Sequence, residues 1–476
     1  MSGGNGFVQQ AAMLVGAPEP AFRLLLTILA GYPISIFYKF ILENKVSNAI
    51  KHTYFLSLGL CLYLFNYGYD IYHSLIAVIV TYGICAIFQG KPTMLVKVNF
   101  IFNMSYLLIG YYLTESNEYD ILWTMPHCVL VLRLIGFGFD VADGRPSESD
   151  LSKDQKDNCI KEMPNIVQLM AYSYFPSSFI VGPQFPFNRY KHFINNEFTK
   201  YKSYMEAGIK RGSVGVLYLI IRQIGAVYLP DDYFLSSEYS NKSFITQIVQ
   251  LGLWGKISLY KYISCWLLAE GSLTLLGLSH SPKNGQIGSD TKDDWTACSN
   301  VKLVLLETGT RMLHYVQSFN VNTNNWVAAY VYKRLKFLNS RTISYAGALL
   351  FLAVWHGFHS GYYMAFALEY TIITFEKQIE SFYNTVIKPN KIGRVIENNL
   401  FVRGVLIAIM KFYNIVMMGW CLTPFIQLSY NKWMVIYSSS GYWGFYLLGI
   451  WTLIHLFYQF LLNPKHKNPL LKDKDQ

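Results

Sequence analysis

Long apolar stretches separated by short polar segments form the dominant pattern of this sequence. The clearest of them cover residues 22–42, 54–69, 74–88, 100–113, 122–139, 214–228, 245–278 and 343–375. A bilayer core about 30 Å thick needs roughly 20 apolar residues per helix, which gives roughly ten or eleven spanning or re-entrant segments here. We therefore predict an all-α, polytopic integral membrane protein whose helices surround an intramembrane reaction chamber.

The pattern offers no point at which to divide the chain. No long polar linker, composition break or internal repeat interrupts it, so residues 1–476 are predicted to form one membrane domain. Residues 1–20 are predicted as an N-terminal tail without a cleaved signal peptide, because they lack a basic segment followed by an apolar stretch. Residues 463–476 are predicted as a C-terminal cytosolic tail.

One aromatic segment, residues 172–190, cannot form a continuous helix. It contains Pro176, Gly182, Pro183 and Pro186, and prolines at this density break helices. Irregular backbone at membrane depth is tolerated only inside protein or beside a water-filled cavity. The segment is therefore predicted to be broken and is a candidate cavity wall.

Two of the charged residues inside the apolar stretches call for an explanation. Arg133 needs a partner or a wet cavity, and Asp140 is a possible partner two helical turns away; structural support is its expected role. Glu270 follows Lys256 and Lys261 on one run, and three roles stay open for it: a functional carboxylate, an ion pair, or snorkelling toward the interface.

Composition agrees with the membrane class and limits the meaning of the net charge. Hydrophobic residues make up 52% of the chain and charged residues 14%. The formal charge of +11 does not indicate nucleic-acid binding, because basic residues beside spanning helices set topology and contact lipid phosphates. Alternatively, some of these cations hold a phosphorylated substrate. The seven scattered cysteines include no CxxC pair and support no metal site.

A histidine inside the stretch 343–375 is the first candidate for chemistry. His356 follows Trp355, and an ionisable group is costly in the bilayer, which favours a functional role. His359 lies three residues on and would share a helix face with it, so either could react. Gly357 and Gly361 form a GxxxG pair, whose simpler meaning is close helix packing.

A cluster of asparagines is the second candidate. Residues 318–326 hold four asparagines and a threonine directly before a predicted helix at 327–338. Capping of helix amides would explain one or two of these residues but does not need so many. A neutral histidine can take the proton of an alcohol that attacks a thioester, and a fixed asparagine can polarise the carbonyl or orient the hydroxyl. Together they predict a minimal acyl-transfer site.

A basic face follows the asparagines. Lys333, Arg334 and Lys336 alternate with apolar residues, as in a helix that lies in the membrane interface. The phosphates of an acyl-coenzyme A donor would suit these cations, and lipid headgroups would suit them equally.

Several enzyme classes lose support because their motifs are absent. The sequence contains no G-x-S-x-G, Walker or H-E-x-x-H pattern, which argues against a serine hydrolase, an ATPase and a zinc protease. It also contains no H-x-x-x-x-D pattern, the signature of the other large group of glycerolipid acyltransferases. A transporter or channel stays open as an alternative, with Arg133, Glu270 and His356 along an ion path.

The sequence resembles the membrane-bound O-acyltransferase superfamily and, within it, the animal branch that acylates lysophosphatidylcholine. The likeness is carried by residues 181–185, by Ser318 through Asn324, by Lys333 through Leu338 and by Trp355-His356-Gly357. The resemblance implies that His356 and Asn320 are the reactive pair. It also implies acyl-coenzyme A as co-substrate, with no resident cofactor or metal.

The substrate and reaction follow from the same resemblance. It implies a 1-acylglycerophosphocholine O-acyltransferase that transfers a polyunsaturated chain to the sn-2 hydroxyl of lysophosphatidylcholine in phospholipid remodelling. Lysophosphatidylserine and lysophosphatidylethanolamine are the other expected lysophospholipid acceptors. A sister enzyme with a sterol, diacylglycerol or protein acceptor is the alternative, and the oligomeric state is left open.

The last residues carry a location signal. Lys472 and Lys474 stand fifth and third from the end and look like a dilysine retrieval signal, which predicts a multi-pass protein of the endoplasmic reticulum membrane. A short charged tail without a receptor is the simpler interpretation.

Overall fold

The computed structural model describes residues 6–14, 16–114, 116, 121–146, 149, 151–281 and 294–461. Over these residues the chain is helical, and its one isolated β-bridge joins Ser281 to Asp294. The all-α prediction is therefore confirmed. The predicted tail at 463–476, with Lys472 and Lys474, lies outside the described residues.

The helices of the described residues follow one another with short connections. In chain order they are α1 (Phe7–Leu14), α2 (Glu19–Phe37), α3 (Asn48–Tyr67), α4 (Ile71–Phe88), α5 (Pro92–Thr114), α6 (Thr124–Asp143), α7 (Lys153–Asn158), α8 (Ile166–Ser173), α9 (Phe187–Ile194), α10 (Tyr204–Tyr228), α11 (Ser237–Ser240), α12 (Phe244–Leu275), α13 (Leu303–Thr308), α14 (Met312–Ser318), α15 (Val321–Val327), α16 (Arg341–His356), α17 (Ser360–Phe382), α18 (Lys391–Asn398), α19 (Leu400–Gln427), α20 (Tyr430–Ser439) and α21 (Trp443–Leu461). Three π-helical segments cover Tyr38–Leu42, Ala328–Tyr332 and Tyr383–Ile387, and 3₁₀ segments cover Gly68–Asp70, Asp231–Leu235 and Lys333–Leu338.

Six helical runs of the described chain are long and apolar enough to cross a membrane. They are Glu19–Leu42, Asn48–Phe88, Pro92–Thr114, Thr124–Asp143, Tyr204–Leu235 and Leu400–Gln427. The polytopic prediction is confirmed, and the total of ten or eleven segments stays a prediction. These runs differ in how deeply they are buried. In α6, 83% of the most apolar 18-residue stretch is buried, so this helix is enclosed by protein. In the run that contains α10 the share is 11%, so its aliphatic side chains face outward.

The chain forms two compact packing units. The first contains Met1–Gln223, Tyr260–Lys302 and Ser318–Phe358, and the second contains Ile224–Leu259, Leu303–Gln317 and His359–Gln476. The assignment of residues 1–476 to one domain, with tails at 1–20 and 463–476, stays a prediction.

The core of the first unit is built around the broken segment. Helix α8 ends at Ser173, and the backbone then turns irregularly until α9 begins at Phe187, as the prolines predict. Phe175 and Phe179 of this segment are buried in a large aromatic and aliphatic cluster with Phe55. The irregular backbone is thus enclosed by protein, which meets the requirement for such backbone at membrane depth.

Arg133 adds side-chain hydrogen bonds to this broken backbone. Its side chain is 2% exposed and donates to the carbonyl oxygens of Tyr172 (2.8 Å), Ser173 (3.2 Å) and Ser178 (3.2 Å). The pairing with Asp140 that the sequence allows is not among these contacts. A carbonyl oxygen can accept two hydrogen bonds, and the five N–H groups of a guanidinium reach several such oxygens at once. The expectation of structural support is confirmed by these contacts.

The second unit packs α17 against α19 and α21. A Cβ atom at Gly361 would lie 2.0 Å from the carbonyl oxygen of Pro424, so this glycine allows close approach of α17 and α19. Helices α13 and α14 are separated at Gly309, whose carbonyl oxygen accepts a hydrogen bond of 3.0 Å from buried Asn414.

Candidate active site

His356 is the last residue of α16. Gly357 follows with φ +119° and ψ −161°, a conformation that residues with a side chain rarely adopt, so the helix stops there. The stretch 343–375 is thus divided between α16 and α17. The prediction that His356 and His359 share a helix face is wrong. His356 is partly exposed as a whole residue, in contrast to the buried Trp355 beside it.

Two hydrogen bonds hold the backbone around His356. The indole N–H of Trp355 donates to the carbonyl oxygen of Cys128 at 2.9 Å, on α6. The hydroxyl of Tyr111, on α5, donates to the carbonyl oxygen of Trp355 at 3.2 Å. Sequence reasoning did not identify Tyr111 or Cys128, because no motif connects them with the Trp-His-Gly segment. The turn that carries the imidazole is thus fixed by two neighbouring helices.

Asn320 immediately precedes α15 and has a left-handed backbone, with φ +51° and ψ 42°. Asparagine is one of the few residues with a side chain that visits this conformation readily. Its side chain makes no capping hydrogen bond to α15, so the capping interpretation does not apply to Asn320. The side chain is partly exposed.

The elements that carry Asn320 and His356 form an antiparallel helical pair. We call this the Asn–His hairpin: α15 and the segments that follow it to Leu338 run one way, and α16 runs back. Near the turn, the hydroxyl of Ser344 donates to the carbonyl oxygen of Leu335 at 3.2 Å. Farther along, the rings of Trp326 and Phe351 stack at 5.6 Å between centroids.

The register of the hairpin brings the two candidate residues to one level. Asn320 lies six residues before Trp326, and His356 lies five residues after Phe351. At about 1.5 Å of rise per residue, both lie roughly 7–9 Å beyond the stacked rings, in the same direction along the antiparallel pair.

Asn320 is also linked to a buried polar network. Its Oδ1 accepts a hydrogen bond of 3.2 Å from Nδ2 of Asn300, which is 2% exposed. The backbone N–H of Asn300 donates to Oε1 of Glu270 at 2.7 Å, and Arg211 Nε donates to Oε2 of Glu270 at 2.6 Å. Glu270 is therefore an ion-paired residue, and its partner is neither Lys256 nor Lys261. No pattern in the sequence identified Asn300 or Arg211.

The predicted phosphate-binding cations have different environments. Arg334 pairs with Asp143, and Lys333 pairs with Asp154. Lys336 is exposed and has no ion pair among the described residues. The predicted helix 327–338 is in fact a π-helical segment followed by a 3₁₀ segment, because the backbone leaves α geometry after Val327. Two of the three cations are thus already neutralised.

Metal ligands are not grouped in the part of the chain that is described. No cluster of three or more histidine, cysteine, aspartate or glutamate side chains there could hold a metal ion. None of the seven cysteines, which all lie in that part, forms a disulfide bond.

Comparison with known proteins gives the family. The model of the MBOAT, membrane-bound O-acyltransferase family matches residues 108–419, which include Asn320 and His356. The chain is 52% identical over 466 residues to "Lysophospholipid acyltransferase 5" of Drosophila melanogaster, covering 97% of this chain and 92% of that protein. It is 36% identical over 448 residues to the Homo sapiens protein of the same name, covering 92% and 88%. It is 26% identical over 385 residues to "Lysophospholipid acyltransferase" of Saccharomyces cerevisiae, covering 74% and 61%. The chain belongs to the membrane-bound O-acyltransferase family.

Proposed function

We propose that this protein transfers the acyl group of acyl-coenzyme A to the sn-2 hydroxyl of a lysophospholipid, with His356 as general base and Asn320 as an amide that binds the reacting carbonyl. The observation that supports this most directly is the register of the Asn–His hairpin, which brings both side chains to one level. Neither residue is fully buried.

His356 and Asn320 have different roles in the proposed reaction. The hydroxyl oxygen attacks the thioester carbonyl carbon while the imidazole of His356 takes the hydroxyl proton. Negative charge develops on the carbonyl oxygen, where an amide N–H of Asn320 stabilises it. Collapse of this intermediate breaks the carbon–sulfur bond, and the imidazolium returns the proton to the departing thiolate. The new ester and free coenzyme A are the products, and the histidine ends as it began.

The contacts of Arg133 and Glu270 argue against a transporter or channel. Arg133 binds carbonyl oxygens of the broken segment, and Glu270 pairs with Arg211. Both side chains therefore stabilise the fold, and neither is left to carry an ion. His356 alone of the three proposed path residues keeps a chemical role, and that role is acyl transfer.

Similarity to known proteins supports the proposed acceptor, and chemistry supports the proposed donor. The fly, human and yeast relatives are named for action on lysophospholipids, and we assign this acceptor class to the chain. Lysophosphatidylcholine is the proposed main acceptor, with the serine and ethanolamine lysolipids as further ones and a polyunsaturated acyl chain as the donated group. Burial of an acyl chain between helices contributes about 0.8 kcal/mol per methylene, which suits a lipid thioester as donor.

An acceptor panel tests this function. The purified full chain is incubated with labelled arachidonoyl-coenzyme A and, separately, each of the three lysolipids, a sterol and a diacylglycerol. We expect label in phosphatidylcholine first and in the other two phospholipids at lower rates. Label in the sterol ester or triacylglycerol alone would show that a sister activity is the true one. Absence of label in every lipid, with folded protein, would overturn the proposal.

Lys336 is the proposed contact for a coenzyme A phosphate, with Lys333 and Arg334 as the neighbouring candidates. One exposed charge-assisted contact contributes about 1 kcal/mol, so Lys336→Ala should raise the KM for acyl-coenzyme A about fivefold at unchanged kcat. Exposed Lys391 in the second unit provides the matched Lys391→Ala control. A rise in the KM for the lysolipid instead would assign Lys336 to a lipid headgroup.

The endoplasmic reticulum membrane is the proposed location, on the basis of Lys472 and Lys474 in the terminal sequence. Fractionation of cells that express the full chain, compared with a variant carrying serine at both positions, measures it. Unchanged location of the variant would remove this support.

A further inference from the structure

We infer that Asn300 is a positioning residue that fixes the orientation of the Asn320 side chain, so that Asn320 offers its NH₂ group, and not its oxygen, to the substrate. This inference rests on the proposed function of Asn320. It adds a residue outside the proposed reactive pair, and it decides between two roles that the chemistry of asparagine allows.

Backbone hydrogen bonds join the segment that contains Asn300 to the segment that contains Asn320. The backbone N–H of Val321 donates to the carbonyl oxygen of Asn300 at 2.9 Å, and that of Lys302 donates to the carbonyl oxygen of Ser318 at 2.8 Å. Nδ2 of Asn322 adds a hydrogen bond of 3.2 Å to the carbonyl oxygen of Cys298. Asn320 is thus flanked on both sides by residues bound to the same short stretch of chain.

The network determines which end of each amide faces which neighbour. A backbone N–H can only donate, and that of Asn322 lies 2.9 Å from the side chain of Asn300, so the atom it meets is Oδ1. The other end of Asn300 is then Nδ2, which can only donate. It lies 3.2 Å from the side chain of Asn320, and the atom there must be Oδ1. Nδ2 of Asn320 is left without a hydrogen-bond partner in the described part of the chain.

Asn300 can impose this orientation because it is itself held rigidly. Its backbone N–H donates to Glu270, whose carboxylate is 2% exposed and is paired with Arg211. Arg211 also donates to the carbonyl oxygen of Val301 at 2.7 Å. Close packing brings these groups together, since a Cβ at Gly208 would lie 2.9 Å from the carbonyl oxygen of Gly271. A buried network in which each member is hydrogen-bonded favours one arrangement of its side chains.

The orientation has a chemical consequence. An asparagine that offers Oδ1 would accept a hydrogen bond from the attacking hydroxyl, whereas one that offers Nδ2 donates to the thioester carbonyl oxygen. Donation becomes stronger as negative charge develops on that oxygen, so it stabilises the transition state more than the bound substrates. Asn320 is thereby assigned to the carbonyl of the donor and His356 to the hydroxyl of the acceptor.

Asn300→Asp tests the assignment. An aspartate at this position still accepts from the N–H of Asn322, but it cannot donate to Asn320. The amide of Asn320 should then turn over, donate to the new carboxylate and present its oxygen to the substrate. We expect kcat to fall on the order of 100-fold, as when an oxyanion donor is lost, with both KM values within about twofold of the parent. Asn325→Asp, the same chemical change at an exposed position of α15, should leave kcat unchanged.

A double-mutant comparison separates positioning from general support. If Asn300 acts through Asn320, adding Asn300→Asp to an Asn320→Gly protein should reduce kcat little further, because the oriented group is already gone. The inference would be overturned if the two substitutions reduced kcat independently, so that their separate reductions multiply in the double variant. It would also be overturned if Asn300→Asp alone lowered thermal stability but retained kcat. If Asn320→Gly is itself fully active, the proposed function of Asn320 fails first. If Asn320→Gly is inactive and Asn300→Asp is fully active, only the role of Asn300 is refuted.

Discussion

Replacement of His356 by alanine is expected to reduce acyl transfer by roughly 100-fold to 10,000-fold, because that is the usual contribution of a general base. His359, the nearest histidine in the sequence, follows the end of α16 and precedes α17, which begins at Ser360. The initial rate of transfer from labelled arachidonoyl-coenzyme A to lysophosphatidylcholine measures the effect. Binding of the donor should be nearly unchanged, because the variant loses a group that acts on the acceptor hydroxyl.

His359 provides the matched control. It is also partly exposed and lies three residues away, but it precedes α17 and is outside the Asn–His hairpin. His359→Ala should therefore keep most of the activity. An inactive His359→Ala protein together with an active His356→Ala protein would exchange the two assignments. Gel filtration and thermal unfolding of both proteins show whether any loss of activity is due to unfolding.

Replacement of Asn320 by glycine is expected to lower kcat by on the order of 100-fold to 1,000-fold, as for other oxyanion donors. Glycine is the informative choice because φ at this position is +51°. Glycine adopts that conformation without steric cost, whereas alanine would add about 1–2 kcal/mol of backbone strain and confuse chemistry with folding. The glycine variant should unfold at a temperature close to that of the parent, and kcat is measured in the same transfer assay.

Asn320→Asp tests whether activity requires the amide N–H of Asn320 or only a side chain of its size and shape. Aspartate tolerates the left-handed backbone and has nearly the same size, but its ionised side chain has no N–H to donate. We expect it to be as inactive as the glycine variant. Substantial activity in Asn320→Asp would contradict a donor role, even if His356 were established as the base.

The apolar pattern predicted most of the fold because lipid allows few alternatives to helices with satisfied backbones. The prolines at 172–190 predicted the broken segment for the same reason. The structural role of Arg133 was predicted, but its partners were not, since a sequence shows carboxylates as charges but does not show which backbone oxygens a distant segment brings close. The break after His356 was also missed, because glycine tolerates both a helix interior and a helix end.

The candidate site, like the fold, could be predicted from the sequence only in part. A histidine in an apolar stretch and a cluster of asparagines are visible as residue types, and the family resemblance selects His356 and Asn320 among them. The groups that orient them are not visible. Asn300 meets Asn320, and Arg211 meets Glu270, only after α10 and α12 have packed through glycines. Contacts between residues so far apart in the chain have no local signature.

The hydrogen bonds of Arg133 also constrain how the protein is made. Helix α6 leaves the ribosome before residues 172–178, which supply its carbonyl partners, have been synthesised. An unmatched arginine at the centre of a helix adds roughly 2.5–3.5 kcal/mol to insertion through the translocon. Helix α6 therefore gains its full stability in the bilayer only when later helices arrive, and its integration belongs to the assembly of the whole polytopic chain.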